Sequence, residues 1–287
     1  MTRRRGLRSA LVRWSGLPFL LRETVQRRRT TILRYHDVAP QALDLQLSVL
    51  GKRYNFISLR DYVQALRAGR TASLPPKSMV ITFDDGHRSN YALLKVFRKH
   101  LVTPTVFICS GIVGTNRKFW TSVVADRNEK ERLKRVPDEA RLEALASYGY
   151  TETESFSVRS ALSRAEIDEM RGTVDFQPHT VFHPVLTQCS DERSRREIVG
   201  SKGMLEEEFG FDVYAFAFPN GDYSAREIEY VHSAGYLCAL TTETGLNDAR
   251  ADPYSLKRVC VVEGSESAII VSACPTIRRL KRLVWAG

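Results

Sequence analysis

Two adjacent carboxylates, Asp84 and Asp85, follow the run Met79-Val80-Ile81-Thr82-Phe83 and stand directly before Gly86. Like charges on neighbouring side chains repel, which costs energy unless a cation or a shared proton relieves it. A complement stands about ninety-five residues downstream: His179-Thr180-Val181-Phe182-His183, two imidazoles four positions apart. Two histidines and one aspartate make a ligand set for a divalent transition metal with open positions, and leave the second aspartate free to act as a base. The chemistry these residues suit is metal-dependent hydrolysis.

The elements that must carry them follow from hydrophobic patterning. Strand-like runs fall at 31–37, 78–84, 105–110, 173–178, 214–218, 237–242 and 256–262. Helical periodicity fills the gaps at 59–68, 91–100, 191–209 and 224–233, the last opened by Ser224 with Glu227 three residues on, a capping box. Alternation of strand and helix implies parallel strands joined by crossover helices. Seven strands fit an α/β architecture of distorted, incomplete (β/α)7 TIM-like barrel type. In the second strand Val80, Thr82 and Asp84 share one face. Both candidate elements sit at strand C-terminal ends, where barrel enzymes keep their sites. On a strand His179 and His183 would stand roughly 13 Å apart, too far to share an ion. Pro184 disfavours helical geometry at His183, so a single tight turn is expected there.

Residues 112–171 interrupt the alternation. A charged helical stretch at 126–145, a turn-like segment at 147–155 and a capped helix at 163–171 read as an insertion over one rim. It could be a lid, a substrate-shaping wall or plain decoration.

Length and composition (287 residues, 43% hydrophobic, 26% charged) fit a globular protein with one large core. The net charge of +10 is confined to the ends. Residues 1–30 hold nine arginines against Glu23 alone, residues 276–287 hold Arg278, Arg279, Lys281 and Arg282 with no acid, and the body between is slightly acidic. Cys109, Cys189, Cys238, Cys260 and Cys274 are widely spaced, which argues against a disulfide framework and for a reducing compartment. The apolar stretch 17–21 is far shorter than the ~18–20 residues of a bilayer span, and Arg13 spoils it as the core of a signal peptide.

The chain resembles the polysaccharide deacetylases, the NodB-homology or carbohydrate esterase family 4 superfamily, over roughly residues 31–262. Its TFDDG motif stands here as Thr82-Phe83-Asp84-Asp85-Gly86, and its H-S/T-x-x-H motif as His179-Thr180-Val181-Phe182-His183. The resemblance implies that Asp84 is the catalytic base and that Asp85, His179 and His183 bind the metal, Zn²⁺ by family habit, with Co²⁺, Ni²⁺ or Fe²⁺ as alternatives. The third motif, R-x-P-Y/F-G, reads Ala217-Phe218-Pro219-Asn220-Gly221, so it supplies no arginine to orient Asp84. The backbone N–H of Asn220 can still serve as an oxyanion donor, a role that needs no particular side chain. The late acid histidine of many members has no counterpart after His232. Arg34-Tyr35-His36-Asp37 instead is similar to the circularly permuted branch that includes poly-N-acetylglucosamine deacetylases, which assigns the acid to His36. His87, His100 and His232 read as ordinary loop and helix residues, His87 being close to the site in sequence.

The expected activity is hydrolysis of the acetamide of an N-acetylated sugar, in a glycan or lipid-linked saccharide. An O-deacetylase or a glycan-binding module with a weak site are the alternatives. The expected organisation is a basic amphipathic segment at 1–30, a catalytic domain at 31–275 with the insertion at 112–171, and a basic helix at 276–287. Leu7, Leu11 and Trp14 share a helical face, and Ile277, Leu280, Val284 and Trp285 repeat the pattern. Such segments suit an anionic membrane surface or packing on the barrel, and in a closed barrel the two termini could be neighbours. The reading places the protein in the cytoplasm, with peripheral attachment to the inner membrane as a variant. Nothing in the pattern favours nucleic acid.

Overall fold

The computed structural model describes residues 16–277. All described strand pairs are parallel. Strands β1 (Thr31–Tyr35), β2 (Asn55–Phe56), β3 (Ser78–Phe83), β4 (Thr105–Ile108) and β5 (Asp175–Pro178) form one sheet, with β1-β3-β4-β5 as its path and β2 added beside β3. Strands β6 (Ala215–Ala217), β7 (Cys238–Thr244) and β8 (Leu256–Arg258) form a second. The seven expected strands are present, six of them shortened at one or both ends and β7 running two residues further than expected, and the two-residue β2 is an eighth.

The α/β expectation holds, but the described ladders do not close into a barrel. On one side β1 and β8 touch through a single parallel bridge, Leu33 to Val259. On the other, no ladder joins β5 to β6. The side chain of Gln177 stands in for it: its Oε1 accepts the backbone N–H of both Tyr214 and Ala215 at 2.9 Å. A side chain satisfies those buried amides where a strand would, so the sheets stay apart without orphaned donors.

Apolar residues sort into two layers. Ile32, Val80, Phe107, Ala215, Ala217, Cys238, Leu240 and Leu256 point to the space between the sheets. Helix Leu59–Arg67 closes its lower end with Leu59, Tyr62, Val63 and Leu66. Alternate residues, among them Leu33, Met79, Ile81, Phe83 and Val106, face the outer helices. The inward row of β3 is thus Val80, Thr82 and, one step beyond, Asp84, as strand alternation requires.

Between β4 and β5 the expected insertion is built from short helices: Trp120–Val123, Arg127–Leu133, Asp138–Ala146 and Arg164–Met170. The helical stretch at 126–145 is two helices, because Pro137 stands at the N-cap of the second and cannot continue the first. Trp120, Val124, Leu133, Leu145 and Tyr150 form a small core of their own with Val185.

The two ends of the described chain meet. Gln26 Nε2 donates to the carbonyl of Ala273 at 3.1 Å. Gly16, Pro18, Phe19 and Arg22 face Glu266, Ser267, Ile270 and Val271 across one cleft. The amphipathic patterns at 1–15 and 278–287 lie outside the described residues; Ile277 is buried. No helix among the described residues is long and apolar enough to cross a membrane. Cys109, Cys189, Cys238 and Cys274 are buried free thiols that pack as small core residues.

Candidate active site

Every residue singled out for chemistry lies where a strand ends. His36 follows β1, Asp84 and Asp85 follow β3, His179 follows β5, and Asn220 follows β6. The segment after β5 is not helical: Thr180 and His183 take φ of 69° and 61°, and the tight turn this makes puts the imidazole centroids 4.9 Å apart. Of the six described non-glycine residues with positive φ, Asp85, Thr180, His183 and Asn220 belong to this one rim. Backbone strain of order 1–3 kcal/mol per residue persists only where surrounding contacts over-determine it.

Those contacts are visible. Glu197, buried on helix Asp191–Phe209, accepts the N–H groups of Val181 and Phe182 at 2.8 and 2.9 Å. The Thr180 hydroxyl accepts the His183 N–H at 2.9 Å, and Trp120 Nε1–H donates to the His183 carbonyl at 2.9 Å. His179 Nδ1 lies 2.7 Å from the carbonyl oxygen of Ala217. A carbonyl can only accept, so Nδ1 carries the proton and Nε2 presents its lone pair. Burial lowers the pKa of His179 to about 4, which keeps it neutral and available as a ligand.

Asp85 Oδ1, His179 Nε2 and His183 Nε2 converge. Oδ1 is 3.6 Å from the first nitrogen and 3.3 Å from the second, and the three donor atoms fit within 4.8 Å of one another. Oδ1 is buried with no hydrogen-bond partner. An orphaned carboxylate oxygen facing two imidazole nitrogens fits a divalent cation. The other oxygen, Oδ2, accepts from His87 Nε2 at 3.0 Å. Burial would raise the Asp85 pKa, but the neighbouring imidazoles of His183 and His87 hold it well below the usual range. Burial likewise opposes charge on His87, yet its bond to Asp85 raises its pKa. The His87 ring packs edge-on against Phe119 at 4.9 Å. The reading of His87 as an ordinary loop residue is thereby corrected: it fixes which oxygen of Asp85 is free.

Asp84 is 2% exposed and answers the missing arginine of the third motif from a different strand. Arg258, last residue of β8 and itself 1% exposed, meets Asp84 with both terminal nitrogens, at 2.6 and 2.8 Å. Its Nε donates to the Thr241 carbonyl at 2.7 Å, locking the guanidinium. Burial alone would raise the Asp84 pKa; Arg258 foremost, with His179 and His36, outweighs it and holds the carboxyl down to about 2. His36 Nε2 is 3.7 Å from Asp84 Oδ2, close but beyond a hydrogen bond, and its side chain is 46% exposed. Burial of its inner face lowers the His36 pKa, while Asp84 and Asp85 pull it upward. Asn90 Nδ2 holds the His36 carbonyl at 2.9 Å. Asn220 sits in the turn after β6 with φ 56°, its carbonyl bonded by Thr242 Oγ1 at 3.0 Å. His100 instead pairs with Asp44, and His232 packs on Tyr254.

The site thus has a fixed, ionised carboxylate flanked on one side by an accessible imidazole and on the other by a three-donor nest. The family model described as polysaccharide deacetylase matches residues 71–239. A putative polysaccharide deacetylase, YxkH, of Bacillus subtilis is 22% identical over 189 residues, 66% of this chain and 53% of its own length. A poly-β-1,6-N-acetyl-D-glucosamine N-deacetylase of Escherichia coli K12 is 24% identical over 222 residues, 75% of this chain and 32% of its own. The chain therefore spans about half the length of the first relative and a third of the second. Among solved structures, the Streptococcus pyogenes deacetylase PplD in complex with acetate superposes with TM-score 0.65 at 21% identity, covering 86% of this chain and 99% of that one. IcaB from Ammonifex degensii gives 0.64 at 20% identity, with 86% and 98% covered.

Proposed function

Because the chain belongs to the polysaccharide deacetylase family, we propose that it is a metal-dependent de-N-acetylase that hydrolyses the acetamide of an N-acetylated sugar in a glycan. The observation that carries the reading is the Asp84 carboxylate, held ionised by Arg258 between His36 and the Asp85–His179–His183 nest. The E. coli relative named for poly-β-1,6-N-acetyl-D-glucosamine directs the substrate class toward polymers of N-acetylglucosamine.

Asp85, His179 and His183 would hold a divalent cation, Zn²⁺ first, which supplies Lewis acidity toward a carbonyl and a lowered pKa for water. The chain's own groups do the rest. Asp84 takes the proton of the attacking water, a task that requires it ionised, and its pKa meets that requirement at any ordinary pH. The Asn220 N–H donates to the oxyanion as the carbonyl carbon becomes tetrahedral. His36, at the exposed edge, hands a proton to the departing nitrogen as the C–N bond breaks. Acetate and a free amine leave.

The test is release of acetate and amine from N-acetylglucosamine oligomers by protein reconstituted with Zn²⁺, with and without chelator. Equimolar products, sensitive to chelator and lost in Asp84→Asn and Asp85→Ala, support the reading. Acetate without amine from acetylated polysaccharide makes it an O-deacetylase. Binding without either product makes it a glycan-binding module.

A further inference from the structure

We infer that the end of the molecule opposite the active site is a docking surface for an anionic lipid bilayer, and that docking there turns the catalytic rim away from the membrane. The surface is built where the strands begin. Helix Leu17–Glu23 is tethered by buried Pro18 and by the Lys77–Glu23 ion pair at 3.1 Å, and Lys77 directly precedes β3. It presents Phe19 and Leu20 to solvent, 61% and 56% exposed. Single exposed apolar residues are ordinary on any protein. These two are adjacent, and Arg22 rests over the Phe19 ring at 5.2 Å. Arg27, Arg28 and Arg29 follow, all exposed, immediately before β1.

Charge makes the occupant a polyanionic surface rather than another apolar face. The acids facing the patch are few: Glu23 is bonded by Arg22 and Lys77, Asp248 lies beside Arg28, Arg29 and Arg250, and Glu266 shares a cleft with Arg22 and Arg53. The Gln26–Ala273 contact brings the C-terminal segment to the same edge. Residues 1–15 therefore continue from this edge with five arginines and no acid, and residues 278–287 with four basic residues and no acid. Leu7, Leu11, Trp14, Leu280, Leu283 and Trp285 supply apolar side chains among them. Basic residues with interleaved Trp and Leu are the composition that partitions into an anionic interface.

Orientation follows from the strand. Arg27–Arg29 precede β1 and His36 follows it. At about 3.3 Å per residue the two ends lie roughly 20 Å apart. A bilayer at the arginines leaves the catalytic rim facing solvent, which suits a polymer delivered from the aqueous side and not a sugar embedded in the same leaflet.

The experiment uses the full chain and sedimentation with vesicles of phosphatidylcholine alone or with roughly 30% phosphatidylglycerol. Binding to the anionic vesicles and not the neutral ones is expected, weakened between about 0.1 and about 0.5 M salt. Arg27→Gln/Arg28→Gln/Arg29→Gln is expected to weaken it about a hundredfold, and Phe19→Ser/Leu20→Ser at least about tenfold. Hydrogen exchange of the bound protein should show protection at 17–29 and none at 36–37 or 220–223. No binding to anionic vesicles, equal binding to neutral ones, or binding untouched by both variants overturns the proposal. So does capture by DNA or a soluble polyanion without vesicle binding. Protection at 36–37 overturns the orientation. None of these readouts needs turnover, so failure of the deacetylase reading would not be mistaken for failure here.

Discussion

Arg258 is the residue whose removal tests the catalytic argument most directly. It makes two charge-assisted bonds to Asp84, at 2.6 and 2.8 Å, in a region closed to solvent. Breaking a buried ion pair by deleting one partner costs about 3–5 kcal/mol, because the remaining charge is left without compensation. The Asp84 pKa gives a second measure. Its fall from an ordinary 3.8 to about 2 corresponds to about 2.5 kcal/mol favouring the ionised form. That figure is the smaller because burial already works against it. Arg258→Met, which keeps the length and removes the charge, should therefore lower unfolding free energy by about 3 kcal/mol or more. In the zinc-loaded enzyme kcat/KM should fall by about 10²–10⁴, the range for losing a positioned general base. Arg258→Lys keeps a cation but not the two-pronged geometry, and should fall between. Steady-state deacetylation by the three proteins, each shown folded by denaturant titration, reads the effect. Addition of guanidinium ion to Arg258→Ala supplies the missing cation and should restore part of kcat at concentrations too low to unfold the protein. Wild-type kcat/KM in Arg258→Met would refute the claim that this arginine keeps the base ionised and aimed.

Three further outcomes follow. His87→Ala frees Asp85 Oδ2 and should weaken Zn²⁺ binding about 10–100-fold by competition with a chromophoric chelator, while His87→Gln, which restores a donor, should recover part of it; unchanged affinity in both would show that the 3.0 Å bond does not position the ligand. Gly86→Ala sets a Cβ 2.6 Å from Ile108 Cγ2 at φ 74°, so thermal stability should fall by about 2–4 kcal/mol from strain and overpacking together, and a stable, active variant would contradict that geometry. Burial would raise the pKa of Glu227, but bonds from Ser224, Arg226 and Ser194 lower it from 4.5. Its stabilising bonds are thus fully present above that value and lost as pH falls through the depressed one. The stability gap between wild type and Glu227→Gln should be about 1–3 kcal/mol at neutral pH and shrink toward pH 3, and a gap independent of pH would disprove the assignment.

Much of this was legible because patterning and local chemistry agreed. The inward row Val80-Thr82-Asp84, the capping box at Ser224 and Glu227, and helix Asp191–Phe209 are all consequences of periods within one element. What escaped was set by contacts between elements. Arg258 could have been suspected: Leu256 and Arg258 share a face of an otherwise apolar strand, and an arginine on a buried face must find an anion. Which anion depended on β8 lying beside β1, information that no local pattern carries. His87 was missed for a similar reason, since its partner is set by the positive φ that turns Asp85 back toward it. The gap between β5 and β6 was hidden because the glutamine that spans it looks like any strand residue. Boundaries at 1–30 and 276–287 were read from basic, amphipathic patterning alone, and 1–15 and 278–287 lie outside the described residues.

The insertion is better understood as a brace than as a lid or decoration. It reaches both turns that carry the metal-ligand candidates. Phe119 packs on His87, which bonds Asp85; the adjacent Trp120 donates to the carbonyl of His183. Arg88 N–H bonds the Ser160 carbonyl and Leu162 N–H bonds the Gly86 carbonyl, so the segment leaving the insertion zips onto the loop after Asp85. From the far side, Asp138 and Glu152 flank Arg193, which pairs with Glu197 at 3.1 Å, and Glu197 holds the amides of Val181 and Phe182. A lid must be able to leave the site, and a decoration need not touch it. This segment does neither: it is bonded to the two strained turns whose positive-φ residues could not hold their conformations alone.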